Sequence, residues 1–164
     1  MHSRIFQIES RPVDTEDRIC EDMIPEWFTN SVADYVADIR EENREDEIEW
    51  LMSTNFGKIC KRDGDKLTFN IDTSAFFDEY FEQFKKIVKD LAEIKFYQFV
   101  SNKQPNIPYN KKLDHLMFLL KEAYDDKFSF YVWYDDELYT MQSWMRQVSP
   151  CSVYYIGGIV DYHF

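Results

Sequence analysis

Between Phe76 and Ile94 the apolar residues recur at helical spacing: Phe76, Phe77, Tyr80, Phe81, Phe84, Ile87, Val88, Leu91 and Ile94. The stripe is wide enough to be covered from two sides, which predicts a long central helix capped at Thr73 or Ser74. Around it the chain reads as short strands and short helices. Arg4 to Ile8 alternates as a first strand, and Pro25 stands where a helix can begin. Ser31-Val32-Ala33-Asp34 reads as a capping box, with Val32, Tyr35, Val36 and Ile39 on one helical face. A second stripe of Ile48, Leu51, Met52 and Phe56 lies about 160° further round the same axis, so one straight helix would face two ways. Two helices are therefore expected, roughly 26–40 and 44–55, with Asn43 as the N-cap of the second.

Further along, Lys58–Lys61 and Lys66–Asn70 flank Arg62-Asp63-Gly64-Asp65, a hairpin signal. Residues 95–100 fit either helix or strand, and Ser101 to Pro108 reads as a loop. Tyr109 or Asn110 opens a helix with Leu113, Leu116, Met117, Leu120 and Tyr124 in register, ended by Asp125-Asp126. Phe128 to Tyr134 predicts a buried strand, Glu137 to Val148 a short helix, and Ser152–Ile156 with Ile159–Phe164 a hairpin turning at Gly157-Gly158. The order β-α-α-ββ-α-α-β-α-ββ predicts an α+β fold. It is expected as one compact domain over 1–164, a mostly antiparallel sheet built from hairpins and packed against the long central helix and several shorter helices. At 45% apolar and 18% aromatic residues, a sizeable core is available.

Charge divides the chain. Residues 1–56 hold 15 Asp/Glu against 5 Arg, and most of the formal net charge of −12 lies there, on an acidic N-terminal part followed by an aromatic-rich remainder. Such a field attracts basic partners and repels nucleic acid and anionic membrane. The segment Asp34–Glu49 carries a net −6; as a continuous helix it would hold about one net charge per 4 Å, under half the density of duplex DNA. Acids at Asp14, Glu16, Asp17, Glu21, Asp22 and Glu26 would raise that density if the fold set them alongside. The competing explanation is a solvated face, with Glu45, Asp46 and Glu47 serving the dipole of a helix N-terminus.

Catalytic and metal patterns are sparse. Three cysteines (Cys20, Cys60, Cys151) at unpatterned spacings fit reduced thiols in the cytoplasm. No signal-peptide stretch or membrane-length apolar run is read. No P-loop, Gly-x-Ser-x-Gly, Gly-x-Gly-x-x-Gly or metal-binding His/Cys motif occurs, so no cofactor, metal or catalytic residue is assigned. Asp125-Asp126 and Asp135-Asp136 stand about 20 Å apart across a strand, too far for one metal cluster, and read as helix-end and N-cap residues.

The expected function is a non-enzymatic acidic module that docks on a basic surface of a partner protein through Asp34, Asp38, Glu41, Glu42, Glu45, Asp46 and Glu49, without direct nucleic-acid or membrane binding. A nucleic-acid-binding enzyme is a natural partner of that kind. In composition the chain resembles the small, acidic, aromatic-rich inhibitors that phages and mobile elements direct at DNA-handling enzymes, an anti-defence analogy that aligns no residues. Two alternatives remain: a small enzyme with a dispersed site of His115 and a Cys or Asp, and a self-assembling subunit using the tyrosine-rich C-terminal strands.

Overall fold

The computed structural model describes residues 1–100 and 111–164. They form two compact units, one of Met1–Phe76 with Lys127–Phe164 and one of Phe77–Asp126. The first unit holds seven strands: β1 (His2–Glu9), β2 (Tyr35–Asp38), β3 (Cys60–Asp63), β4 (Lys66–Phe69), β5 (Tyr131–Tyr134), β6 (Glu137–Thr140) and β7 (Val153–His163). Its helices are α1 (Glu26–Ser31), α2 (Glu41–Ser53) and, after β6, the short helix Met141–Met145. The second unit holds α3 (Asp78–Ala92), α4 (Phe96–Val100) and α5 (Lys111–Tyr124), which makes the Met141–Met145 helix α6 in chain order.

The α+β class is as the sequence predicts. The sheet runs β3-β4-β7-β1-β5-β6, with β2 also on β7; only β1 with β5 is parallel. Strand β7 is the spine. β1 lies along one edge (His2 opposite His163, Glu9 opposite Tyr155), and the other edge is shared by β4 at Val153–Tyr155 and β2 at Val160–His163. One face of the sheet packs Ile5, Tyr131, Trp133, Val160 and Tyr162 against Ile19, Ile24 and Phe28. On the other, Phe6 meets Phe130 edge-on and Trp50 of α2 meets the same ring.

Two sites hold β7 where neither β4 nor β2 covers it. Arg44 of α2, 8% exposed, donates through Nε (3.0 Å) and Nη2 (2.8 Å) to Gly157 O, through Nη2 to Ile156 O (2.9 Å), and through Nη1 to Asp65 (2.8 Å). A guanidinium thus satisfies two carbonyls that a neighbouring strand would otherwise take. Opposite, the β1 register slips between Phe6 and Ile8, and the buried Gln7 side chain fills the gap. Its Oε1 accepts from Gly158 N (2.8 Å) and Ile19 N (2.9 Å), and its Nε2 donates to Asp17 O (3.1 Å).

Several local expectations are corrected. Residues 26–40 are not one helix: α1 stops at Ser31 and Tyr35–Asp38 pairs with β7, because edge pairing outweighs the helical spacing of Val32, Tyr35, Val36 and Ile39. The Ser31–Asp34 capping box therefore does not form. The following helix begins at Glu41, with Arg40 rather than Asn43 at its N-cap, so Glu41 and Glu42 occupy the first turn in place of Glu45–Glu47. Gly157-Gly158 is no hairpin; both lie inside the continuous β7. Glu137–Thr140 is strand and only Met141–Met145 helical, with the Thr140 hydroxyl accepting from Ser143 N. Asp135 and Asp136 are not caps: both have positive φ (51° and 60°) in the two-residue turn between β5 and β6. The 95–100 ambiguity resolves as the helix Phe96–Val100, while the loop expected at Ser101–Pro108 and the opening at Tyr109 or Asn110 lie outside the described residues.

In the second unit α3 packs on α5 around Ile87, Leu116 and Ala123, flanked by Phe84, Leu91, Ile94, Leu119 and Leu120. No helix among the described residues is long and apolar enough to cross a membrane.

Candidate protein-binding surface

Helix α2 is tied to the sheet by arginines rather than by a continuous apolar seam. Its buried side carries Arg44, Ile48 and Leu51. On one flank Glu47 receives Nε and Nη2 of Arg4, both at 2.8 Å, while Arg4 Nη1 reaches the buried Asp161 and the guanidinium lies 5.2 Å from the Trp50 ring centre. On the other flank Glu45 takes Arg62 of β3 through two bonds, 2.6 and 2.7 Å. That fork holds the Glu45 carboxyl below its ordinary range, and Arg62 is raised in turn.

The seven acids expected to bind a partner divide sharply. Asp34 pairs with His163 Nδ1 at 2.7 Å, which holds its carboxyl below the usual value. Asp38 accepts from Glu21 N at 2.6 Å, Glu41 pairs with Arg18, and Glu45 is held by Arg62 as described. Glu42 lies 3.7 Å from an equally exposed Arg40, a contact of little worth. Asp46 and Glu49 are exposed. Residues 42, 46 and 49 stand at i, i+4 and i+7, so Glu42, Asp46 and Glu49 form one line along the outside of α2, about 10 Å long.

The fold also gathers acids that were not on that list. An open groove of about 610 Å³ is lined by Glu9, Asp14, Glu16, Asp17, Asp135 and Asp136, with Arg11 and Arg18 among its walls. Glu9 ends β1, and the parallel pairing of β1 with β5 sets it beside the β5–β6 turn, where it accepts from Asp135 N at 3.3 Å. Burial pushes the Glu9 carboxyl up, and the Asp135 and Asp136 charges add to that against the lowering backbone bond. Asp14, Glu16 and Asp17 are thus set in one groove with Glu9, Asp135 and Asp136. No signal in the chain announces this grouping, because it depends on a parallel pairing across more than a hundred residues.

The sign of the Glu9 effect can be tested. An acid whose folded value is raised loses stability as pH climbs from its unfolded value, near 4.5, through the folded one. Glu9→Gln is therefore expected to melt with wild type at pH 4 and at or above it at pH 7, read by thermal denaturation monitored by circular dichroism. A Glu9→Gln protein that melts below wild type at pH 7 alone would contradict the burial.

His115 belongs to the unit Phe77–Asp126, the three cysteines to the other. Burial pushes the Cys60 thiol up to about 12, which leaves it protonated and a poor nucleophile. Asp125-Asp126 follows the end of α5, and among the described residues no group of three or more His, Cys, Asp or Glu is placed to hold a metal ion. The tyrosines from Tyr131 onward are divided between the core (Tyr131, Tyr162) and half-buried positions (Tyr134, Tyr139, Tyr154, Tyr155), and β7 is paired along both edges. No protein-family model, curated protein or solved structure matches the chain.

Proposed function

We propose that this protein is a non-enzymatic binding module whose acidic face docks on a basic surface of a partner protein in the cytoplasm. The reading rests on one observation: after the internal ion pairs are counted, Glu42, Asp46 and Glu49 still face solvent as a line of like charge on a helix anchored at both flanks. The field behind the line favours the same partner. The unit that carries α2 holds 22 Asp/Glu against 11 Lys/Arg. A helix so anchored presents its charges without further ordering, which favours association rate and selectivity for basic surfaces. The groove walls of enzymes that grip nucleic acid are surfaces of that sign, and covering one would inhibit the enzyme.

The test reverses the line. Glu42→Lys, Asp46→Lys and Glu49→Lys together leave the internal pairs of α2 in place, and exposed substitutions of this kind usually change stability by no more than about 0.5 kcal/mol each. Immobilised wild-type protein is expected to retain from host lysate a salt-eluted basic protein that the triple variant no longer retains. Equal retention by both, at low and at high salt, sinks the proposal.

A further inference from the structure

We propose that the α3–α5 hairpin is half of a four-helix bundle and that its second apolar face binds the same hairpin of a second copy of this chain. The seam between the helices uses Phe84, Ile87 and Leu91 of α3 with Leu116, Leu119, Leu120 and Ala123 of α5. The apolar stripe of α3 is wider than that seam. Phe81 and Val88, seven residues apart, are 57% and 43% exposed, and on α5 Met117 and Tyr124, also seven apart, are 53% and 59% exposed.

These four residues share a face. The pairs are turned about 75° on α3 and about 100° on α5 from the seams of their own helices, in the same sense when viewed from the N-terminus. The helices run antiparallel: the charge of Asp126, just past the end of α5, acts on the Tyr80 hydroxyl near the start of α3. In an antiparallel pair turns of the same sense bring both stripes to the same side, and this alignment sets Phe81 level with Tyr124 and Val88 level with Met117. Two apolar faces at nearly a right angle are what each helix of a four-helix bundle carries, one for its hairpin partner and one for the opposite pair.

Charge and area select a second copy as the occupant. Residues 77–126 contain nine Asp/Glu and eight Lys, so two copies meet without strong repulsion and a highly charged partner finds nothing to complement. The rim carries both signs, with Lys85 on α3 and Asp114 and Lys121 on α5. At about 200 Å² for a fully exposed large side chain, the four residues present on the order of 400 Å², and the rim brings this towards the roughly 800 Å² per partner of a standard interface.

Light scattering after size exclusion tests the proposal with the full chain. Wild type is expected at the mass of two chains, dissociating on dilution, and Phe81→Glu/Met117→Glu at the mass of one with an unchanged circular dichroism spectrum. Phe118→Glu, about 100° round α5 from Met117, should remain a dimer. If the double variant misfolds, Val88→Lys takes its place with the same expected loss of half the mass. A wild-type monomer at every concentration overturns the proposal, whatever else covers the face. So does a dimer that survives both variants, which would associate elsewhere, for example through the C-terminal strands. The result is independent of the acidic line on α2, whose test reads capture of a foreign basic protein.

Discussion

Arg44→Ala is expected to cost about 2–5 kcal/mol, because two buried carbonyls lose their donors at about 1–3 kcal/mol each. Three features set the size. The side chain is 10% exposed; its guanidinium makes three bonds to the carbonyls of Ile156 and Gly157; and its fourth bond anchors the half-exposed Asp65. Those carbonyls lie in the interval of β7 between its β4 and β2 partners, so no strand replaces the lost donors. Water entering the cavity would satisfy them only by wetting the sheet edge. Arg44→Lys should recover only part of the loss, since one ammonium cannot reproduce the fork towards two carbonyls and a carboxylate. Chemical denaturation of wild type and both variants checks the order. An Arg44→Ala protein within about 1 kcal/mol of wild type would show that the arginine is not what holds this interval.

Gly158→Ala is the second large effect, expected at about 3 kcal/mol, in the upper part of the range for overpacking. A Cβ there would lie 2.7 Å from Ile19 O and 2.8 Å from Ile19 N, and backbone cannot swing aside as a side-chain end can. Separation would also break the Ile19 N to Gln7 Oε1 bond that closes the bulge. Gly157→Ala is expected to be milder. Its Cβ would meet the Gln7 side chain, 2.3 Å from Oε1, and a side chain has room to yield at the loss of its own bonds. Melting temperatures of the two variants decide it: Gly158→Ala should fall further. The reverse order would move the constraint from the Ile19 backbone to Gln7.

These two sites explain why the final third of the chain departs from what its local pattern predicts. Paired glycines between two β-rich runs carry the signal of a tight turn. Here they permit close approach within one continuous strand, of Gln7 on one side and Ile19 on the other. Both partners come from the first twenty residues, and nothing local to residues 150–164 reports them. The Asp135-Asp136 turn is the converse. A true hairpin turn used residues that read as caps, because two aspartates tolerate the left-handed region without glycine. Similarly, Val32, Tyr35, Val36 and Ile39 have helical spacing, yet Tyr35–Asp38 becomes an edge strand once β7 offers unpaired groups to bond.

The candidate surface was legible in part. Acidic residues on α2 are visible as composition, and i, i+4, i+7 spacing picks out Glu42, Asp46 and Glu49 once the helix is placed at Glu41–Ser53. Which acids are already occupied was not visible. Arg62, His163 and Arg18 are distant in sequence from Glu45, Asp34 and Glu41, and each pairing offsets a charge while leaving the carboxylate exposed.

What the chain determines locally is the α+β class, the β3–β4 hairpin at Asp63–Lys66, the helical stripe of α3 and the excess of negative charge in residues 1–56, since each follows from spacing and composition within a few turns or strands. Only the tertiary structure decides that β7 is the unbroken spine, that Arg44 stands in for a missing strand neighbour, and that Glu9 faces Asp135 and Asp136. Those outcomes depend on backbone groups and charges from opposite ends of the chain meeting in one place. The free energy of such pairings exists only after the loop between them has closed, so no local pattern carries it.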